Sequence, residues 1–175
     1  MENNRLYIGI DPGKQGYITT CFNDELTFYA IPMIGKKVYD VKELANIFAF
    51  INKADTKIYC VLEDVHAKCG SSAGSTFEFG FGLGLIEGLL AANGIPYSKI
   101  QPKKWQKQMF EGVKELSKPS STGKTMVTDT KAMALIAAKR MFPDVDLRDT
   151  KRCTTPHDGK VDSLLMCEYC KRNFK

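Results

Sequence analysis

Residues 6–13 read Leu-Tyr-Ile-Gly-Ile-Asp-Pro-Gly, and residues 57–63 read Lys-Ile-Tyr-Cys-Val-Leu-Glu. Each is an apolar run of strand length that ends on a carboxylate, Asp11 in the first and Glu63 in the second. Such runs fit strands buried on both faces, the kind found in parallel sheets. An acid at the end of one is costly unless something offsets its charge. Taken alone, Asp11-Pro12-Gly13 is also good turn chemistry, and Glu63 could be half of an ion pair.

Outward from these runs the element order follows. "YITTCF" (17–22) reads as a second strand, and Asn23-Asp24 turns the chain into "ELTFYAI" (25–31). The first three strands then form an antiparallel meander closed by Pro32. Asp40 and Glu43 have capping-box spacing ahead of a helix in which Leu44, Ile47, Phe48 and Ile51 recur at i, i+3, i+4 and i+7. After the small-residue loop 64–76, Ser75 and Glu78 can cap a helix over 77–94. Its Gly80, Gly84 and Gly88 share one face. Each costs the helix roughly 1 kcal/mol against alanine, so a close neighbour is expected there: the chain's own sheet first, a second subunit as the alternative.

"PYSKI" (96–100) reads as a fifth strand and "PKKWQKQMF" (102–110) as a basic helix. Residues 111–130, rich in Ser, Thr, Lys, Gly and Pro, read as a mobile basic loop. A helix over 130–141 stops at Phe142-Pro143. "HDGKVDSLLMCEYCKR" forms a last helix with Val161, Leu164, Leu165 and Tyr169 inward. The expected architecture is a single α/β domain over 1–175. It has a central mixed five-stranded sheet, three antiparallel strands then parallel ones, flanked by helices.

Hydrophobic residues make up 43% and charged residues 26% of the 175, ordinary values for a globular chain. No basic, apolar, small-residue leader pattern opens the sequence, and no apolar stretch approaches membrane-spanning length. The expected location is cytoplasmic, with no membrane partner. The net charge of +5 is unevenly placed: residues 1–95 carry a net −3 and residues 96–175 a net +8. A one-sided excess points to an anionic partner such as nucleic acid, or to a solvated basic surface. Cys167 and Cys170 form a single CxxC with no second pair, half of a zinc site at most. "SSTGKT" (120–125) ends like a phosphate-binding loop, but Lys118 stands where its first glycine belongs, and "GFGLGLIEG" lacks GxGxxG spacing. No nucleotide cofactor is expected.

If the two acid-ended strands lie parallel and adjacent, Asp11 and Glu63 emerge at one edge. Asp158 and Asp162, four apart, share a helical face in the basic half. Four converging carboxylates repel one another unless cations sit among them, and oxygen ligands with room for water suit magnesium or manganese. Two such ions can clamp the attacking and leaving oxygens of a phosphodiester displacement. Lys103, Lys104, Lys107, Lys118 and Lys124 are candidate grips on a nucleic-acid backbone. Trp105 between the lysines invites base stacking, although a tryptophan at helical spacing is more often core.

"IGIDPGKQG", "VLEDVHA" and "HDGKVDSLLM", in this order and spacing, resemble the RuvC-type Holliday junction resolvases of the RNase H-like superfamily, in the short versions of bacteriophages and some bacteria. "TKAMALIAAKRMFP" resembles the helix with a leading lysine that precedes their last acidic motif. The resemblance implies a homodimeric crossover junction endodeoxyribonuclease of DNA recombination and repair. It would cut branched DNA with two Mg2+ ions, Mn2+ substituting, and leave 5′-phosphate ends. Asp11, Glu63 and Asp162 take the places of metal ligands and catalytic acids. In longer bacterial members the fourth ligand stands three residues before the last aspartate, where this chain has Gly159. Asp158 is therefore the expected fourth ligand and His157 its alternative. His66 occupies the place of an aromatic wedge at the junction centre, with Lys68 beside it as a further DNA contact, and Lys131 follows the family's lysine. The alternatives are a broader flap, fork or RNA–DNA hybrid nuclease, or a catalytically silent junction-binding protein.

Overall fold

The computed structural model describes residues 4–35, 37–52, 56–66 and 72–174. Lys68 lies outside them. Five strands form one sheet in the order β3-β2-β1-β6-β7: β1 (Arg5–Ile10), β2 (Tyr17–Phe22), β3 (Glu25–Ala30), β6 (Lys57–Glu63) and β7 (Tyr97–Ile100). β1 pairs antiparallel with β2, and β2 with β3. β6 pairs parallel with both β1 and β7. The expected mixed sheet is therefore present, three antiparallel strands followed by parallel ones.

Alternation along β1 sends Leu6, Ile8 and Ile10 to one face and Tyr7 and Gly9 to the other, so both faces need cover. Leu6, Ile8, Ile10 and Ile18 bury against α1 (Val41–Ile51) and α2 (Ala73–Ala92), with Leu44, Phe48, Ile86 and Leu90 as the facing core. The other face is covered by α3 (Pro102–Met109), α4 (Thr130–Met141) and α5 (Asp158–Asn173), through Trp105, Ala137, Leu164 and Leu165 among others. α5 lies closest to the sheet, across β1, β2 and β6. A Cβ on Gly9 would drive into the Cys167 backbone nitrogen and the Ser163 carbonyl, so only glycine lets the helix approach there. A buried hydrogen bond between Thr19 Oγ1 and Ser163 Oγ (2.7 Å) fixes the crossing.

The Cys167 and Cys170 thiols donate to the carbonyls of Tyr7 and Tyr59 in the sheet, at 3.3 and 3.4 Å. Burial pushes Cys170 up to about 12 and Cys167 well above the ordinary thiol value. The CxxC is thus part of the α5 packing rather than half of a zinc site.

Several local expectations change. Asp40 does cap α1, its carboxylate accepting the Glu43 N–H at 3.0 Å. α2 starts earlier than its sequence cue, with Ser72 as the cap accepting the Ser75 N–H at 3.1 Å. Short strands β4 (Met33–Ile34) and β5 (Val38–Tyr39) form a hairpin not legible in the sequence. The basic stretch 111–130 holds a second hairpin, β8 (Ser117–Pro119) with β9 (Met126–Thr128), where a loop was expected.

The glycine face of α2 is the largest departure. Among the described residues, a Cβ on Gly80, Gly84 or Gly88 would meet nothing within 4 Å, so the chain's own sheet does not lie against them. The sheet side of the helix is instead Gly82, Ile86 and Leu90, with Gly82 against the Tyr39 hydroxyl. α2 is also long and apolar enough, by length and composition alone, to cross a membrane, contrary to the expectation from the sequence. It reaches that composition because it is apolar on its sheet side and on its outer side alike.

Candidate active site

The parallel register pairs Ile10 with Leu62, so the next residues, Asp11 and Glu63, leave adjacent strands at one edge. Both fall on the α5 face by alternation, Asp11 with Tyr7 and Gly9, Glu63 with Tyr59 and Val61. α5 begins at this edge, and its first turns bring Asp158 and Asp162 over the two strand ends. The structure thus brings together all four acids singled out in the sequence. Each of the other three raises the proton affinity of Asp162.

Asp11 does two things at once. Its backbone N–H donates to Tyr17 O (3.0 Å), and its Oδ1 accepts the Gly13 N–H at 3.3 Å, so it does form the turn that Asp-Pro-Gly suggests. Its carboxylate also borders an open cleft of about 580 Å3, with Lys131, His157, Asp158 and Asp162 among the lining residues. Gly159 explains the departure from the three-residue spacing. A Cβ there would press on the Gln15 carbonyl and stand 3.0 Å from Asp11 Oδ2, leaving no room for an acidic side chain. The acid falls one position earlier, at Asp158, which is half exposed at the cleft rim. His157 is the residue before α5; its ring tilts against Tyr17 at 5.1 Å, and its Nδ1 is buried without a hydrogen-bond partner among the described residues.

The electrostatics follow from this crowding. Burial pushes the Asp162 carboxyl up to about 8, and the charges of Asp11, Glu63 and Asp158 push the same way. Burial also raises Asp11, opposed by the Gly13 N–H, His157 and Lys131. Lys131, in the first turn of α4, pairs with Asp158, and that hydrogen bond holds its ammonium above the ordinary lysine value. The acids gathered at this edge outnumber Lys131, the lysine that lines the cleft.

Among the described residues, no three His, Cys, Asp or Glu side chains stand close enough together to cage an ion as they are. The donor chemistry nevertheless fits a hard cation. Carboxylate oxygens in an open, wet cleft match the way magnesium binds, through one or two protein acids with water and substrate phosphate completing its shell. Asp11, Glu63, Asp158 and Asp162 are the residues that would hold it.

The remaining sequence candidates lie on other elements. Lys103, Lys104 and Lys107 are exposed on α3. Lys118 is half exposed and bridges to Asp129 (2.8 Å), the residue that caps α4, tying the β8–β9 hairpin to the base of Lys131. Lys124 is exposed in the hairpin turn. His66 is exposed just beyond β6, and its Nε2 stands 3.6 Å from Asp64 Oδ2. Trp105 is fully buried, which removes it as a stacking platform. Its indole N–H donates to Glu63 Oε1 at 2.9 Å. Sequence reading missed that bond, and its only trace there was a lone tryptophan on the inward side of a basic helix.

No family model and no curated protein sequence matches the chain. Solved structures do: Thermus thermophilus RuvC superposes with a TM-score of 0.52 at 14% identity, over 95% of this chain and 96% of that one. T. thermophilus RuvC in complex with Holliday junction substrate gives a TM-score of 0.49 at 12% identity, over 97% of each chain. The fold is that of RuvC, the RNase H-like arrangement that the three motifs resemble.

Proposed function

We propose that this protein is a divalent-cation-dependent endonuclease that resolves four-way DNA junctions as a homodimer. The observation that carries this reading is the carboxylate set Asp11, Glu63, Asp158 and Asp162 at one sheet edge, in which the other three push up the buried Asp162, with Lys131 at the rim. A protein that only bound DNA would have no use for four acids facing a polyanion. Two bound magnesium or manganese ions would supply charge stabilisation at phosphorus and a water acidified for attack.

The chain's own residues do the rest. Asp162, its proton affinity raised by burial, keeps a proton near neutral pH until a cation replaces it. Lys131 is placed to exchange Asp158 for a phosphate oxygen. Lys103, Lys104, Lys107 and Lys124 hold the strands by their phosphates, which gives affinity without sequence reading. Attack of water on phosphorus and departure of the 3′ oxygen with a proton leave a 5′-phosphate end.

Opposed cuts in a symmetric junction call for two active sites related by a two-fold axis. The outer face of α2 suits such a pairing. Gly80, Gly84 and Gly88 leave its backbone bare, while Phe77 and Phe81 stand 75% and 50% exposed beside them.

The test is cleavage of a labelled immobile four-way junction beside matched flap, fork and linear duplex, in magnesium or in chelator, with Asp11→Asn in parallel. Paired symmetric nicks in the four-way junction, lost in chelator and in the variant, are the expected result. Equal cutting of every branched form would make the protein a general debranching nuclease. Tight binding without cutting in any divalent metal would refute the enzyme reading.

A further inference from the structure

Trp105 is the one tryptophan of the chain and has no exposed surface, yet the single polar atom of its side chain is spent on Glu63, at the same sheet edge as Asp11. The local fold makes that contact specific. β7 ends at Ile100, which pairs with Glu63, and the Asp64 N–H donates to Ile100 O at 2.9 Å. Two residues later Pro102 opens α3, so the indole arrives beside the Glu63 carboxylate with no loop between. Phe110 packs edge-on to the indole at 6.0 Å, and Met109 is buried on the same side, leaving the ring one orientation.

An indole N–H is a donor only: it neither takes up a proton nor gives one away near neutral pH. Its bond to Oε1 fixes the plane of the Glu63 carboxylate. A flexible glutamate would have to be ordered when a cation arrives, and here that ordering is done in advance. We propose that Trp105 is a positioning residue that holds the Glu63 carboxylate oriented for a divalent cation. This rests on the cation-dependent reading above and adds to it a residue that touches neither the cation nor the DNA.

The experiment uses the whole metal-free chain and reads cation binding rather than cleavage. Calorimetric titration with Mn2+ compares the wild type with Trp105→Phe, which keeps most of the ring volume without the N–H. Met109→Ala loosens the same helix without touching Glu63. The expected result is a loss of Mn2+ affinity of roughly 10-fold or more in Trp105→Phe, with Met109→Ala binding as the wild type does. Unchanged affinity in Trp105→Phe, or an equal loss in Met109→Ala, overturns the proposal.

Because the chain has a single tryptophan, its indole N–H gives one resonance, which tests the proposal even if Trp105→Phe fails to fold. Mg2+ is expected to shift that resonance in the wild type and not in Glu63→Gln. A resonance unmoved by Mg2+ that calorimetry shows to be bound refutes the positioning role alone. A wild type that binds neither cation refutes the cation reading itself, and the positioning role with it.

Discussion

Asp162→Asn should stabilise the metal-free protein, and by an amount that grows with pH. In the folded chain burial and three neighbouring acids raise the Asp162 carboxyl from the ordinary 3.8 to about 8. Above pH ~4 the unfolded chain releases this proton while the folded chain keeps it. Unfolding is therefore favoured by rising pH across the window from about 4 to about 8, and levels off beyond it. At about 1.36 kcal/mol per pH unit, the ceiling on the penalty is on the order of 6 kcal/mol. Asparagine carries no charge, so the variant lacks this slope. Half the ceiling, about 3 kcal/mol, would separate the two proteins by roughly 6–12 °C in Tm for a chain of this size.

The assay is urea unfolding in chelator from pH 4 to pH 9, followed by Trp105 emission. The wild type and variant should nearly coincide at pH 4, apart from a constant offset, and diverge toward pH 8. Saturating magnesium should then close or invert the gap. A cation at one hundred times its Kd adds about 2.7 kcal/mol to the state that binds it, and the variant has lost one of its acids. A difference that stays constant across the window would refute the electrostatic account of Asp162. So would a gap that magnesium leaves untouched.

Gly159→Ala should cost about 1–3 kcal/mol in urea unfolding and abolish junction cleavage, since the new Cβ displaces the Gln15 carbonyl and crowds Asp11. Replacing Lys103, Lys104 and Lys107 together by alanine should flatten the salt dependence of DNA binding. The log–log slope should fall by roughly 2–3, measured by fluorescence anisotropy, with nick positions unchanged. On the proposed α2 pairing, Gly84→Glu should leave the protein monomeric in sedimentation where the wild type is dimeric, while the Tm changes little, because nothing among the described residues meets a side chain there.

How far the sequence reaches can be read from particular residues. Two apolar runs ending on Asp11 and Glu63 put an acid at the end of each strand, and the parallel pairing of β1 with β6 met the condition for both to leave one edge. The Asp158–Asp162 pair was legible for the same reason, helical periodicity. The end of the acidic run was not: that Gly159 excludes a side chain depends on the Gln15 carbonyl, 144 positions away in the chain.

The same division holds elsewhere. α5 packs onto Gly9, whereas nothing among the described residues packs onto Gly80, Gly84 and Gly88, for which the sequence led one to expect a neighbour. Trp105 could be read as core or as a stacking platform, and packing made it core with its one donor turned to Glu63. The sequence by itself determined the five strands of the main sheet, the helices and the acids at their ends, since those follow from periodicity within a few residues. Only the tertiary structure decided which glycines are contacts, how strongly each acid is desolvated and what holds Glu63. Those depend on distances between segments that no local pattern encodes.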